Sequence, residues 1–123
     1  MRPSGKRQNA YRFGQFSELL CCWHLRLGGY QILQRGFRAT TGEIDIIARR
    51  AQTLAFVEVK ARANLNNATH ALQPAQRSRI ERTAHVYLAS HPEFSGDDMR
   101  FDLMIVAPWG WPEHLKGAWM TNE

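Results

Sequence analysis

Apolar residues follow two different periods along the 123-residue chain. Over residues 14–27 they recur at Phe16, Leu19, Leu20, Trp23 and Leu27, which is helical spacing, and Gly28-Gly29 supplies a stop. A second helix is expected from Pro74, a residue suited to the first helical position, to a point near Pro92. Its stripe is Ile80, Ala84, Tyr87 and Leu88. Between the helices the pattern turns to strands: residues 30–39, then 43–48, then 54–61. Thr41-Gly42 marks one turn and the polar stretch 49–53 another. Residues 101–107, continuously apolar after Asp102, read as a buried strand, and 115–119 as a last edge strand. The order is αβββαβ(β), one α/β domain over residues 14–123 behind a flexible basic arm at 1–13.

Strand alternation sorts the side chains of the second and third strands. Glu43, Asp45 and Ile47 share a face, as do Leu54, Phe56, Glu58 and Lys60. The opposite faces carry Ile44, Ile46 and Ala48, and Ala55, Val57, Val59 and Ala61, all apolar and expected in the core. A hairpin turning at residues 50–53 sets Arg49 against Leu54, Ile47 against Phe56, Asp45 against Glu58 and Glu43 against Lys60. Two carboxylates would then stand side by side, about 5 Å apart at Cβ, and opposed like charges destabilise a sheet unless something cancels them. A hard cation such as Mg²⁺ or Mn²⁺ takes oxygen ligands and would do so. Lys60 points to the same side, where an ammonium can hold a scissile phosphate or orient water. The plain alternative is a solvated charge ladder on a half-exposed sheet.

Composition narrows the setting. Sixteen Lys and Arg stand against 11 Asp and Glu, and the sequence pI is about 9.8. A basic domain favours polyanions such as nucleic acid as partners. Cys21 and Cys22 are adjacent and unsuited to bridge each other; this usage fits a reducing, cytoplasmic setting. His24, His70, His85, His91 and His114 are too scattered for a zinc-site spacing. No apolar run approaches the length of a membrane span.

The blocks Gly42-Glu43-Ile44-Asp45-Ile46-Ile47-Ala48 and Phe56-Val57-Glu58-Val59-Lys60-Ala61-Arg62 resemble the signature of the YraN-like family. That family is regarded as a distant relative of the archaeal Holliday-junction resolvases within the PD-(D/E)XK nuclease superfamily. The resemblance runs over roughly residues 14–119, through Gly14, Glu18, Gly29-Tyr30, Arg38, Ala84, Tyr87-Leu88 and Arg100-Phe101-Asp102. It implies a restriction-endonuclease-like fold, a central mixed sheet flanked by helices. It implies an Mg²⁺- or Mn²⁺-dependent endonuclease acting on DNA, branched or single-stranded, in repair or recombination. By the same resemblance Asp45 and Glu58 would be metal ligands, Lys60 the catalytic lysine, Glu18 a further ligand and Glu43 an auxiliary acid. Ile44 replaces the proline of the superfamily's name. By analogy with the resolvases a homodimer is expected.

The remaining candidates each carry two readings. Glu18 lies nearly opposite the Phe16/Leu20/Trp23/Leu27 stripe, as a solvated charge would, yet Cys21, Cys22 and Leu25 flank it. Gln76 stands one turn before Ile80 and reaches the site or merely decorates the helix start. Arg38, Arg62, Arg77 and Arg79 are phosphate contacts or solubility charges. Asp102 pairs with Arg100 or caps a turn, and Trp109, Trp111 and Trp119 are packing residues or base-stacking platforms. A non-cleaving nucleic-acid-binding module of the same fold is the competing function, and a structural metal-binding protein a third.

Overall fold

A computed structural model describes residues 5–61, 72–108 and 110–119, with side chains from Gly14 onward. The chain runs α1 (Gly5–Leu27), β1 (Gln31–Ala39), β2 (Gly42–Arg50), β3 (Thr53–Ala61), α2 (Pro74–Ser90), a 3-10 turn (Pro92–Phe94), β4 (Asp98–Val106) and β5 (Glu113–Trp119). This is the expected order. Arg62, Trp109 and residues 1–4 of the expected arm lie outside the described residues. The helix itself begins at Gly5 rather than Gly14, because the Lys, Arg, Gln and Ala of that stretch are good helix formers. No helix among the described residues is long and apolar enough to cross a membrane.

The five strands form one mixed sheet in the order β1-β2-β3-β4-β5. Two tight hairpins make β1, β2 and β3 antiparallel, with Ala39 opposite Gly42 and Arg50 opposite Thr53. A parallel return needs a long crossover, and α2 supplies it between β3 and β4. The last strand, β5, adds antiparallel to β4. Helices cover both faces, giving the α/β layering of a restriction-endonuclease-like order.

α1 ends where Gly29 adopts φ +90, a conformation that costs glycine least. The Tyr30 N–H donates to the Leu25 carbonyl and the Gly29 N–H to that of Arg26, the paired bonds of a Schellman stop. Tyr30 and Leu25 then share one buried cluster.

Beneath α1, Cys21, Cys22 and Leu25 pack on Ile46, Ala48, Ala55 and Val57. Beneath α2, Ile80, Ala84 and Tyr87 pack on Ile44, Ile47, Leu54, Phe56 and Phe101. Two expectations are corrected here. Of the large apolar stripe of α1 only Leu20 packs against the buried cluster: Phe16, Leu19, Trp23 and Leu27 are exposed, and Ser17, Cys21, Cys22 and Leu25 face inward. Small side chains let the helix approach the alanine-rich centre of the sheet closely, which an indole would prevent. Ile44 also leaves the face of Ile46 and Ala48 and joins the cluster under α2. β4 begins at Asp98, so Asp102 lies within the strand rather than at its start.

Candidate functional site: an acid pair beside a lysine

The β2–β3 ladder follows the expected register, with Arg49 opposite Leu54, Ile47 opposite Phe56 and Ile46 opposite Val57. It ends there. The expected pairs Asp45/Glu58 and Glu43/Lys60 are not ladder partners, because Asp45 turns its side chain into the gap: its Oδ2 accepts the Val59 N–H at 2.8 Å. Where the strands part, Asp45 and Glu58 line the same cavity and each feels the other's carboxyl group.

Glu58 is buried and its Oε1 is held by two donors, Lys60 Nζ at 3.3 Å and Gln76 Nε2 at 3.1 Å. Burial and the neighbouring Asp45 charge push the Glu58 carboxyl up to about 8, against the pull of Lys60. Burial likewise raises Asp45, although the Val59 N–H bond and Glu58 oppose the shift. At neutral pH the pair therefore retains a proton. Lys60, with a side chain 16% exposed, stands against the one negative charge that remains.

A cavity of about 260 Å³ opens over the pair, lined by Gly42, Glu43, Asp45, Glu58, Gln76, Arg79 and Ile80. Gly42 makes room for it. At φ +152 and with Thr83 Oγ1 at 3.3 Å from where a Cβ would stand, only glycine lets β2 enter this close beneath α2. The donors fit a hard divalent cation: they are carboxylate oxygens, and their surplus negative charge is met by a proton that a cation would displace. Asp45 and Glu58 are the residues that would hold it.

The other sequence candidates are spread around this centre. Glu18 is close enough that Asp45 adds to the burial that raises its carboxyl, but Arg35 holds it at 3.4 Å. It lines a separate groove between α1 and β1 with Gln15, Phe16, Leu19 and Arg35. Among the described residues no three His, Cys, Asp or Glu side chains are grouped so that they could hold one metal ion together. Glu43 is exposed and pairs with Arg38 at 3.2 Å, which places Arg38 at the rim. Arg79 lines the cavity, whereas Arg77 is not among its lining residues. Of the tryptophans, Trp119 stacks on Phe101, while Trp111 is exposed against His24.

A second polar centre surrounds Asp102, whose expected pairing with Arg100 holds while its other partners carried no signal in the sequence. Asp102 is fully buried and accepts both Arg100 nitrogens at 2.8 Å, His114 Nε2 at 2.7 Å and the Gly117 N–H at 3.0 Å. Burial alone would raise its carboxyl, but these bonds hold it below the ordinary value. The Arg100 partnership was readable from the i, i+2 spacing on one strand. His114 and Gly117 come from β5 and carried no local signal. This network pins the edge strand to the sheet and leaves Asp102 no role at the acid pair.

Residues 17–106 match the family model described as "Uncharacterised protein family UPF0102". A UPF0102 protein of Paramagnetospirillum magneticum is 46% identical over 124 residues, covering 98% of this chain and 96% of its own length. One from Methylocella silvestris is 48% identical over 118 residues, covering 96% and 95%. Both GEIDII and FVEVKA lie inside the matched span, as do both helices' inner faces. The chain therefore belongs to the protein family UPF0102, the YraN-like family that its two motif blocks resemble.

Proposed function

We propose that this protein is a divalent-metal-dependent endonuclease that hydrolyses phosphodiester bonds in DNA, branched or single-stranded, in repair or recombination. The observation that carries the reading is the acid pair itself: buried Glu58 beside half-buried Asp45 on one cavity wall, its carboxyl raised to about 8 by burial and by the Asp45 charge, with an ammonium at 3.3 Å. A sheet keeps such an arrangement at a cost in stability, and perturbed acids in a cleft mark sites that do chemistry.

In this reading Asp45 and Glu58 hold Mg²⁺ or Mn²⁺. The bound ion supplies Lewis acidity toward a phosphate oxygen and acidifies water. Lys60 orients the attacking water or contacts the scissile phosphate. Gln76 fixes the Glu58 carboxylate through its amide. Arg79, and Arg38 once released from Glu43, meet the flanking phosphates, and the excess of basic residues draws the polyanion in.

A second reading has an observation in its favour. Among the described residues no three His, Cys, Asp or Glu side chains are grouped to hold one ion, and Glu43 at the cavity rim is paired with Arg38, as a non-cleaving binding module would allow. The two separate in one experiment. The protein is incubated with Mn²⁺ or Mg²⁺ and with branched, flapped and linear DNA. Metal-dependent nicking, lost in Lys60→Ala, is the expected result. DNA binding without nicking, unchanged in Asp45→Ala, overturns the enzyme reading in favour of the module.

A further inference from the structure

A groove of about 470 Å³ runs between α1 and β1, lined by Gln15, Phe16, Glu18, Leu19 and Arg35. It adjoins the acid pair: the carboxyl of Glu18 feels those of Asp45 and Glu43, which line the neighbouring cavity. The two recesses differ in chemistry. The cavity is lined chiefly by polar and charged side chains. The groove presents an aromatic ring, Phe16, 56% exposed, beside the half-exposed guanidinium of Arg35. Two turns on, about 10 Å along the same side of the helix, Trp23 is 53% exposed. The Arg26 guanidinium stands 5.5 Å from its ring centroid.

We propose that this groove is a nucleobase subsite for single-stranded DNA. An unstacked base lies on the Phe16 ring, the phosphate beside it meets Arg35, and a neighbouring base reaches Trp23 along the outer side of α1. The inference rests on reading the acid pair as a nucleic-acid site, and it adds what holds the strand next to that site. Exposed rings interleaved with guanidinium groups suit a single strand, because every base has a π face to stack and the backbone supplies the negative charge. A duplex hides those faces in its own stack and offers mainly phosphate, which calls for rows of Lys and Arg. Between Gly14 and Leu27, α1 carries one arginine, Arg26, and no lysine. The distance from Phe16 to Trp23 corresponds to about three base rises of about 3.4 Å, so one short strand spans both rings.

The polar residues of the groove fit this occupant. Arg35 approaches Glu18 through Nε at 3.4 Å, looser than a well-formed hydrogen bond, so a phosphate can compete for it. Glu18 can in turn accept from an exocyclic amino group, as acids do from cytosine N4. Leu19, 42% exposed, extends the apolar bed between the two rings. A strand lying in the groove passes Glu18 to reach Asp45 and Glu58, so the segment offered to the acid pair is unpaired. The substrate class is therefore a flap, a gap or a free single strand rather than uninterrupted duplex.

The test is fluorescence anisotropy of the full chain with a labelled oligo-dT of about 12 nucleotides and a labelled blunt duplex of about 20 base pairs, at one salt concentration and with a chelator present so that nothing is cut. The expected result is single strand bound at least about tenfold more tightly than duplex. Phe16→Ala and Trp23→Ala each weaken strand binding by about five- to 150-fold, whereas Phe16→Tyr, which keeps a ring, retains it. Arg35→Gln weakens it and lowers its salt dependence by about one phosphate contact. Val86→Ala, exposed but on α2, leaves it unchanged. Circular dichroism of each variant guards against misfolding. Absence of strand binding, duplex bound as tightly as single strand, or strand binding indifferent to Phe16→Ala and Trp23→Ala overturns the proposal. So do variants that alter only sedimentation or attachment to anionic vesicles, since this side of α1 then serves a second copy or a membrane. The two readings fail separately: a chain that nicks DNA but binds strands regardless of Phe16 loses the subsite alone, and one that binds strands through Phe16 but takes up no Mn²⁺ loses the enzyme reading alone.

Discussion

Replacing Glu58 with glutamine removes the ionisable group while keeping its shape and its hydrogen-bond reach to Gln76. The effect on stability follows from linkage. Glu58 is raised from an ordinary 4.5 to about 8 by burial and by Asp45. The folded state therefore binds more protons than the unfolded state between those two values. The associated stability is fully present below about pH 4.5 and is lost as pH rises through about 8. A shift of this size corresponds to a ceiling of about 5 kcal/mol, with a slope no steeper than about 1.4 kcal/mol per pH unit. The assay is urea unfolding of wild type and Glu58→Gln with a chelator present. From about pH 5.5 to about pH 8 the wild type should lose about 2–3 kcal/mol relative to the variant, and the variant should be the more stable at the upper end. A difference between the two that stays constant with pH to within about 0.5 kcal/mol would refute the charge-crowded pair.

Other outcomes follow from the same geometry. Lys60→Ala should retain metal binding and lose about 100-fold or more in cleavage rate, read by single-turnover nicking, since it removes a positioned charge without touching a ligand. Phe56→Ala should cost about 3–5 kcal/mol in urea unfolding, because Phe56 is fully buried between Tyr87 and Phe101. Asp102→Ala should cost about 3–5 kcal/mol in the same assay and leave metal affinity unchanged, because it strands Arg100 and His114 at a distance from the acid pair.

The parts legible in the sequence were those fixed by short-range rules. A short turn at residues 50–53 suggested one register for β2 and β3, with a slip of two residues left open by the side-chain faces alone, and the ladder from Ile46/Val57 to Arg50/Thr53 follows the suggested one. Pro74 and the stripe from Ile80 to Leu88 located α2 and its inner face together. What escaped depended on competition between alternatives that look alike along the chain. α1 is apolar on two sides, and periodicity favoured the side with larger residues. The sheet instead selected Ser17, Cys21, Cys22 and Leu25, which fit against Ala48 and Ala55. Residue types at 45 and 58 announced an acid pair, but not that the ladder ends before it and that Asp45 binds the Val59 N–H. Beyond the local Arg100 pair, the Asp102 network joins residues twelve and fifteen positions apart across β4 and β5, and nothing local encodes those two partners.

The most direct measurement is calorimetric titration of Mn²⁺ into the metal-free protein near neutral pH, in two buffers of different ionisation enthalpy. The proposed site predicts one saturable binding event that releases about one proton as the cation replaces the one shared by Asp45 and Glu58, with both binding and release gone in Asp45→Ala. Absence of saturable binding, or binding that survives Asp45→Ala with no proton released, would contradict it.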